Sequence, residues 1–218
     1  MSNAQRQLFA PPYAFLGSVE VRYGHSLERP LLGVDEAGRG PLAGPVVAAA
    51  VSLPPELRLP HLDDSKKLSE AQREALFDPI REQALAHGIG IASHDEIDAL
   101  NILQATFLAM RRAIELALTG GFVPALVVVD GKLCCAGLEL PQRPVIKGDA
   151  LSRNIAAASV LAKVTRDRIM IELHERYPAY DFARHKGYPT PAHRERIAAL
   201  GPSPVHRTSF RGVREFVR

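Results

Sequence analysis

Four acidic residues stand at positions where α/β proteins commonly place their chemistry. Asp35 and Glu36 end one short apolar run, and Asp130 directly follows a second run and precedes a glycine. Asp149 comes shortly after a third apolar segment. If these runs are parallel strands, the space beyond their carboxyl ends is the usual ligand site of an open sheet. The alternative is that each is an ordinary turn or cap residue, because aspartate favours both places.

If the four acidic residues share one cleft, they require a cation. Clustered carboxylates repel one another and raise one another's pKa unless positive charge neutralises them. Without spaced cysteines, such a group suits hard ions such as Mg²⁺ or Mn²⁺, and two such ions about 4 Å apart commonly hydrolyse phosphodiesters. Strand neighbours point to opposite faces, so Asp35 and Glu36 share a site only if the chain turns. Gly38 supplies that turn.

A glycine-rich segment at residues 38–45 follows the acidic pair. It is not a dinucleotide-binding fingerprint, because Pro41 and Ala43 disturb the G-x-G-x-x-G spacing, and it lacks the Gly-Lys-Ser/Thr end of a Walker loop. A hairpin turn with positive φ would also explain its glycines. In either case a ligand can approach the backbone closely, and Arg39 is available for a phosphate or sugar.

The order of apolar patterns predicts a single α/β domain that positions these residues. The predicted strands are 31–35 and 46–53, which form a hairpin, then 88–92, 125–129 and 144–146. The predicted helices are 68–87, ended or kinked at Pro79, a stretch from a Ser93–Glu96 capping box to Gly120, and 152–177. Prolines break the remaining chain into short helices and loops.

Length and composition exclude several classes of protein. The 218 residues are 46% hydrophobic and 23% charged, which is typical of one globular domain with a sizeable core. The two cysteines, adjacent at 134 and 135, exclude a disulfide framework and a cysteine zinc site, and they indicate a reducing, cytoplasmic compartment. No apolar run approaches the roughly 18 residues of a membrane span, so we expect no membrane association.

The small net charge of +3 conceals an uneven distribution. Residues 184–218 hold eight basic and two acidic side chains, a net charge of +6, which leaves −3 for the rest of the chain. A basic end beside an acidic body suits a protein that holds a nucleic-acid backbone.

Several segments, taken in order, resemble the sequence blocks of bacterial ribonuclease HII. They are DEAGRGPLAGPV at 35–46, DSKKLS at 64–69, VVDG at 128–131, KGD at 147–149 with AAASVLAK at 156–163, and KGYPT at 186–190. IDxxNI at 97–102 resembles a further block. The resemblance spans residues 31–210, and several blocks in order are far more specific than any one of them.

The resemblance implies a ribonuclease H-like α/β fold, a mixed five-stranded sheet flanked by helices with a C-terminal helical substructure. We expect a catalytic core at 31–178, a basic region at 179–218 that completes the substrate groove, and a partly flexible N-terminal extension at 1–30. It also implies a monomeric, metal-dependent endoribonuclease. That enzyme would cut the RNA strand of RNA/DNA hybrids and incise duplex DNA 5′ of single ribonucleotides, leaving 3′-OH and 5′-phosphate ends, in ribonucleotide removal and primer processing.

The resemblance also assigns roles to individual residues. The expected catalytic residues, which would hold one or two Mg²⁺ or Mn²⁺ ions, are Asp35, Glu36, Asp130 and Asp149. The expected substrate contacts are Gly38, Arg39 and Gly40 at the ribose 2′-OH, Tyr188 against the next deoxyribose, and Lys66 at a phosphate.

Residues elsewhere have weaker functional patterns. Asp167 lies mid-helix beside arginines, which favours a structural ion pair. For His185, His193 and His206 we favour surface exposure or local hydrogen bonding over contact with substrate.

The amino-terminal segment carries a short motif, Gln5-x-x-Leu8-Phe9. It is similar to the peptides by which bacterial replication proteins bind the sliding clamp. An apolar anchor packed against the domain is the alternative, and we favour it because five-residue motifs recur easily.

Two other functions are consistent with parts of the sequence. A non-catalytic binder of hybrids would keep the basic tail, but it gains nothing from carboxylates that face phosphates. An actin-like phosphotransferase shares a similar sheet, yet it needs a second lobe and phosphate loops that 218 residues do not provide.

Overall fold

A mixed five-stranded sheet forms the centre of the computed structural model, which describes residues 15–62 and 68–217. The strands are β1 Leu31–Ala37, β2 Val46–Ser52, β3 Ala86–Ala92, β4 Leu126–Asp130 and β5 Gln142–Val145. Their order is β3-β2-β1-β4-β5, with β1 antiparallel to β2 and parallel to β4. The predicted mixed sheet and its first hairpin are confirmed.

Eight α-helices surround the sheet in the described ranges. They are α1 Ser18–Tyr23, α2 Glu70–Gln83, α3 His94–Leu100, α4 Ile102–Ala117, α5 Gly148–Leu151, α6 Arg153–Arg176, α7 Phe182–His185 and α8 Pro191–Leu200. Short 3₁₀ turns occupy Pro178–Tyr180 and Arg214–Phe216. Helix α4 covers one face of the sheet, and α6 together with α2 covers the other. None of these helices combines the length and apolar character needed to cross a bilayer.

Glycines allow two helices to lie directly on the sheet. A Cβ on Gly33 of β1 would overlap the backbone of Asn154 and Ile155 in α6. On the other face, a Cβ on Gly88 or Gly90 would overlap carbonyl oxygens of α4. Because both faces of β1 and β2 are covered, these strands are apolar runs rather than alternating patterns.

The boundaries of two predicted helices are wrong. The helix predicted at 68–87 continues through Pro79 and ends at Gln83, because Leu85 already donates to the carbonyl of Ser52 and the chain joins the sheet as β3. Gly88 therefore lies within a strand and is not a helix stop.

The predicted helix from the capping box to Gly120 is two helices, and it breaks at Asn101. The φ of this residue is 71°, and its Oδ1 accepts the amides of Leu103 and Gln104 at 3.0 and 3.2 Å, which starts α4 in a new direction. The capping box itself is confirmed, since Ser93 and Glu96 bond reciprocally.

The amino-terminal region contains a helix that the sequence did not indicate. Helix α1 is tied to the start of α6, where Glu20 Oε1 accepts from Ser152 Oγ at 2.6 Å and from the Asn154 amide at 3.2 Å. The division into parts at 1–30, 31–178 and 179–218 stays a prediction. Gln5, Leu8, Phe9 and Lys66 lie outside the described residues.

Gly33→Ala should lower the free energy of unfolding by about 3 kcal/mol or more, because the α6 backbone must move to admit the methyl group. Gly40→Ala is the matched control, since its Cβ would meet nothing nearer than Tyr188 Cε1 at 3.8 Å. Urea unfolding followed by circular dichroism measures both variants. Equal midpoints for the two would contradict this account of the β1–α6 contact.

Candidate active site

A cleft at the carboxyl ends of β1 and β4 gathers most of the residues singled out in the sequence. Its walls come from Asp35, Glu36, Ala37, Gly38, Arg39, Gly40, Arg73, Asp130, Ser159, Lys163 and Tyr188. Sequence reasoning missed Arg73, and it quoted Ser159 and Lys163 only as part of a block. These two face the cleft because they lie one helical turn apart on α6.

Asp35 is the deepest carboxylate of the cleft, with 5% of its surface exposed. One oxygen accepts the Glu36 amide at 2.8 Å, and the Ser159 side chain also bonds to it. Burial raises the pKa of Asp35 well above its usual value, and the charges of Glu36 and Asp130 raise it further. The cleft therefore favours either a proton or a cation at this position.

Glu36 and Asp130 complete a group of three acids in the cleft. Glu36 lies next to the turn at Gly38, where φ is 98°, and it accepts from Arg39 at 3.3 Å. Asp130 is held at the end of β4 by the amide of Gly148, which donates to its Oδ1 at 2.7 Å. The structure thus brings three of the four predicted acids together.

Asp149 is buried in the first turn of α5, 3% exposed, and does not line the cleft. It follows Gly148, the residue that holds Asp130, so it lies beside the group rather than within it. In residues 15–62 and 68–217, no three acidic, histidine or cysteine side chains are spaced to hold a metal ion.

The glycine loop and Tyr188 face each other across the cleft. A Cβ on Gly40 would stand 3.8 Å from the ring of Tyr188, which is 42% exposed. Arg39 projects from the loop with half of its side chain exposed. The loop backbone and the Tyr188 ring thus lie side by side at the cleft, and their contacts with two neighbouring sugars stay a prediction.

Two buried arginines lie behind the loop, and sequence reasoning missed both. Arg166 is 1% and Arg207 0% exposed, and both donate to loop carbonyls. Arg166 precedes Asp167, whose predicted ion pair is confirmed by a 2.6 Å contact with Lys163. In the sequence, both arginines resemble the charged residues of a protein surface, so no sequence signal marks them as buried.

His185, His193 and His206 are buried together and do not line the cleft. The interpretation as locally bonded residues is confirmed, and that of surface exposure is wrong. His193 donates through Nδ1 to the Tyr188 carbonyl at 2.9 Å, and its Nε2 accepts from His206 Nε2 at 3.0 Å. Burial lowers the pKa of His193 to about 4 and that of His206 to about 3, so both stay neutral near pH 7.

Comparison with known proteins gives a consistent match. The family model described as ribonuclease HII matches residues 32–213. A curated relative from Syntrophotalea carbinolica, named ribonuclease HII, is 56% identical over 91% of this chain and 93% of its own length. The alternatives of a non-catalytic binder and an actin-like phosphotransferase are inconsistent with that match.

Solved structures share the fold. The ribonuclease HII of a PCNA complex from Archaeoglobus fulgidus has a TM-score of 0.66 and 28% identity, over 84% of this chain and 95% of that one. Bst-RNase HIII, solved in complex with Mn²⁺, has a TM-score of 0.65 and 18% identity, over 86% of this chain and 68% of that one. The second likeness shows the fold alone.

The neutral histidines predict a loss of stability in acid. Between the unfolded pKa near 6.5 and the lowered folded values, the unfolded chain binds more protons, so stability falls as the pH falls. The free energy of unfolding should drop by about 1 kcal/mol per pH unit for each histidine in that window.

This loss is measured against His206→Gln, which removes one titrating group. Urea titrations give the free energy of unfolding of the wild type and of that variant at each pH. The excess of the wild-type value over the variant value should shrink as the pH falls from about 7 to about 5. His61→Asn, a substitution at an exposed position, is the matched control. If the difference in free energy of unfolding between the wild type and His206→Gln stays the same at every pH, the prediction is contradicted.

Proposed function

Because the chain belongs to the ribonuclease HII family and is thus an endoribonuclease acting on RNA/DNA hybrids, we propose that it also incises duplex DNA 5′ of a single embedded ribonucleotide. The products are a 3′-OH and a 5′-phosphate. The observation that carries this proposal is one cleft in which three carboxylates meet a glycine loop and a facing tyrosine. The cellular role is ribonucleotide removal and primer processing by a cytoplasmic monomer.

The donor chemistry of the carboxylates suits a divalent metal ion, although no three acidic side chains in the described ranges are spaced as a set that would hold one. Oxygen donors without cysteines suit Mg²⁺ or Mn²⁺, and burial together with the negative charge of Glu36 and Asp130, which a cation would neutralise, raises the pKa of Asp35. We assign Asp35, Glu36, Asp130 and Asp149 to one or two such ions, which these residues would hold together; Asp149 follows Gly148, whose amide donates to Asp130. A bound ion supplies an activated water and stabilises the leaving oxygen.

The loop and Tyr188 supply selectivity for ribose. The 2′-OH distinguishes RNA from DNA, and reading it requires a backbone that approaches the sugar closely. Gly38 and Gly40 allow that approach, and Arg39 adds a cation for the adjacent phosphate. The Tyr188 ring, 3.8 Å from the position of a Cβ on Gly40, gives the neighbouring deoxyribose an apolar face. Lys66 is the proposed contact to a further phosphate.

Asp130→Asn should reduce incision by more than about 100-fold while duplex binding persists, because the substitution removes a charged ligand at the reacting phosphate. The substrate is a DNA duplex with one ribonucleotide, incubated with Mg²⁺ and again with a chelator. Asp95→Asn, with an exposed side chain, is the matched control. Incision by Asp130→Asn at the wild-type rate removes Asp130 from the mechanism, and incision in chelator removes the metal.

The amino-terminal motif supports a further partner. The neighbour from Archaeoglobus fulgidus was solved as a complex with PCNA, and Gln5, Leu8 and Phe9 form a clamp-like motif in this chain. We expect immobilised bacterial sliding clamp to retain the wild type and to lose the Leu8→Ala/Phe9→Ala double variant. Equal retention of both proteins would leave the apolar anchor as the role of this motif.

A further inference from the structure

We propose that Arg207 is a positioning residue for ribose selectivity, holding the carbonyl groups of the glycine loop so that its amides face the substrate. The inference rests on the proposed incision at ribonucleotides and assigns part of its selectivity to a side chain outside the cleft. Arg166 supports the same loop from a second direction.

Arg207 donates to backbone carbonyls on both limbs of the loop. Its Nη2 bonds to the oxygens of Gly38 at 2.6 Å and Pro45 at 3.1 Å. Its Nη1 bonds to the oxygen of Arg39 at 3.1 Å, and its Nε to that of Gly44 at 2.9 Å. One planar group thus fixes the spacing between the first and last residues of the turn.

The direction of these carbonyls sets the direction of the neighbouring amides. In a planar trans peptide, the C=O of one residue and the N–H of the next point to opposite sides. Because the oxygens of Gly38 and Arg39 face the buried guanidinium, the amides of Arg39 and Gly40 point away from it. That side is where Gly40 faces Tyr188. Two successive donors on one side match the oxygen of a sugar hydroxyl.

Only arginine has the geometry for this role. Burying a cation is costly unless hydrogen bonds compensate it, and Arg207 makes four at full burial. Burial lowers its pKa to about 9, so the group stays charged near neutral pH. Lysine carries one point charge and cannot span both limbs with a planar fork.

Arg166 links the same loop to Tyr188. It donates to the oxygens of Ala43 at 3.2 Å and Pro45 at 3.1 Å, and to that of Lys186 at 3.0 Å. Its guanidinium lies 5.9 Å from the centroid of the Tyr188 ring. Both arginines donate to the Pro45 oxygen. The same pair of cations therefore contacts the loop and, through Arg166, the Tyr188 ring.

Asp98 fixes the backbone beside Arg207. Its carboxylate accepts from the amides of Thr208 at 2.7 Å and Ser209 at 3.0 Å, and from both hydroxyls. The Arg207 amide also donates to the oxygen of Leu42 at 2.8 Å. A substitution of Asp98 should therefore disturb the contacts between Arg207 and the loop more mildly than a substitution of Arg207 itself.

The test measures preference for ribose separately from binding. Fluorescence anisotropy with a chelator, so that the duplex stays intact, gives the Kd for a duplex with one ribonucleotide and for the same duplex in all-DNA form. Arg207→Lys should lose about tenfold of the wild-type preference, the value of roughly one hydrogen bond, with its all-DNA Kd unchanged. Arg176→Lys, the same change at an exposed position outside the basic region, should keep the preference.

The remaining outcomes separate the two hypotheses. A wild type that incises but shows no preference, or an Arg207→Lys that keeps it, overturns the inference and leaves the proposed function intact. Absence of incision by the wild type overturns the proposed function itself. If Arg207→Lys fails to fold, Asp98→Asn decides: about a threefold loss of preference supports the inference, and full retention overturns it.

Discussion

The close contact between β1 and α6 is the constraint on which the site depends. Gly33 lets the helix backbone lie against the central strand, and from there one stripe of α6 reaches the whole cleft. Ser159 bonds to Asp35, Lys163 lines the cleft, and Arg166 bonds to the loop. Since a helix rises about 1.5 Å per residue, the seven steps from residue 159 to residue 166 cover about 10 Å. The helix therefore sets the distance between carboxylates and loop.

The glycine loop separates opposite charges. On its cleft side, burial and the charges of Glu36 and Asp130 raise the pKa of Asp35, and behind it lie buried guanidiniums whose pKa values are lowered by burial. The loop carbonyls face the arginines, so the positive ends of its peptide dipoles face the cleft. Fixed dipoles that need no reorganisation suit a site that must recognise a hydroxyl and a developing negative charge.

The parts of the site that depend on short local sequence patterns were predicted from the sequence. The parts that depend on contacts between distant residues were missed. Asp35 and Asp130 were found because apolar runs end beside them, and the hairpin because a glycine turn joins its strands. Asn101 breaks the predicted helix because its φ is positive, and the spacing of apolar residues gives no sign of this. Arg166 and Arg207 are buried where carbonyls from residues more than 100 positions away accept hydrogen bonds from them. The position of Asp149 outside the cleft wall depends likewise on where α5 packs.

The bond from Arg207 to Gly38 spans 169 positions along the chain, which gives the site an order of assembly. During synthesis the carboxylate of Asp35 and its hairpin emerge early, and the strand partner β4 follows about 90 residues later. The glycine loop at residues 38–45, within that hairpin, has all of its hydrogen-bond partners only after Arg207 has been made. Contacts of such long separation form slowly, because loop closure must be completed before they contribute stability. A chain synthesised as far as β4 already contains Asp35, Glu36 and Asp130, whereas the hydrogen bonds that hold the glycine loop also require Arg207.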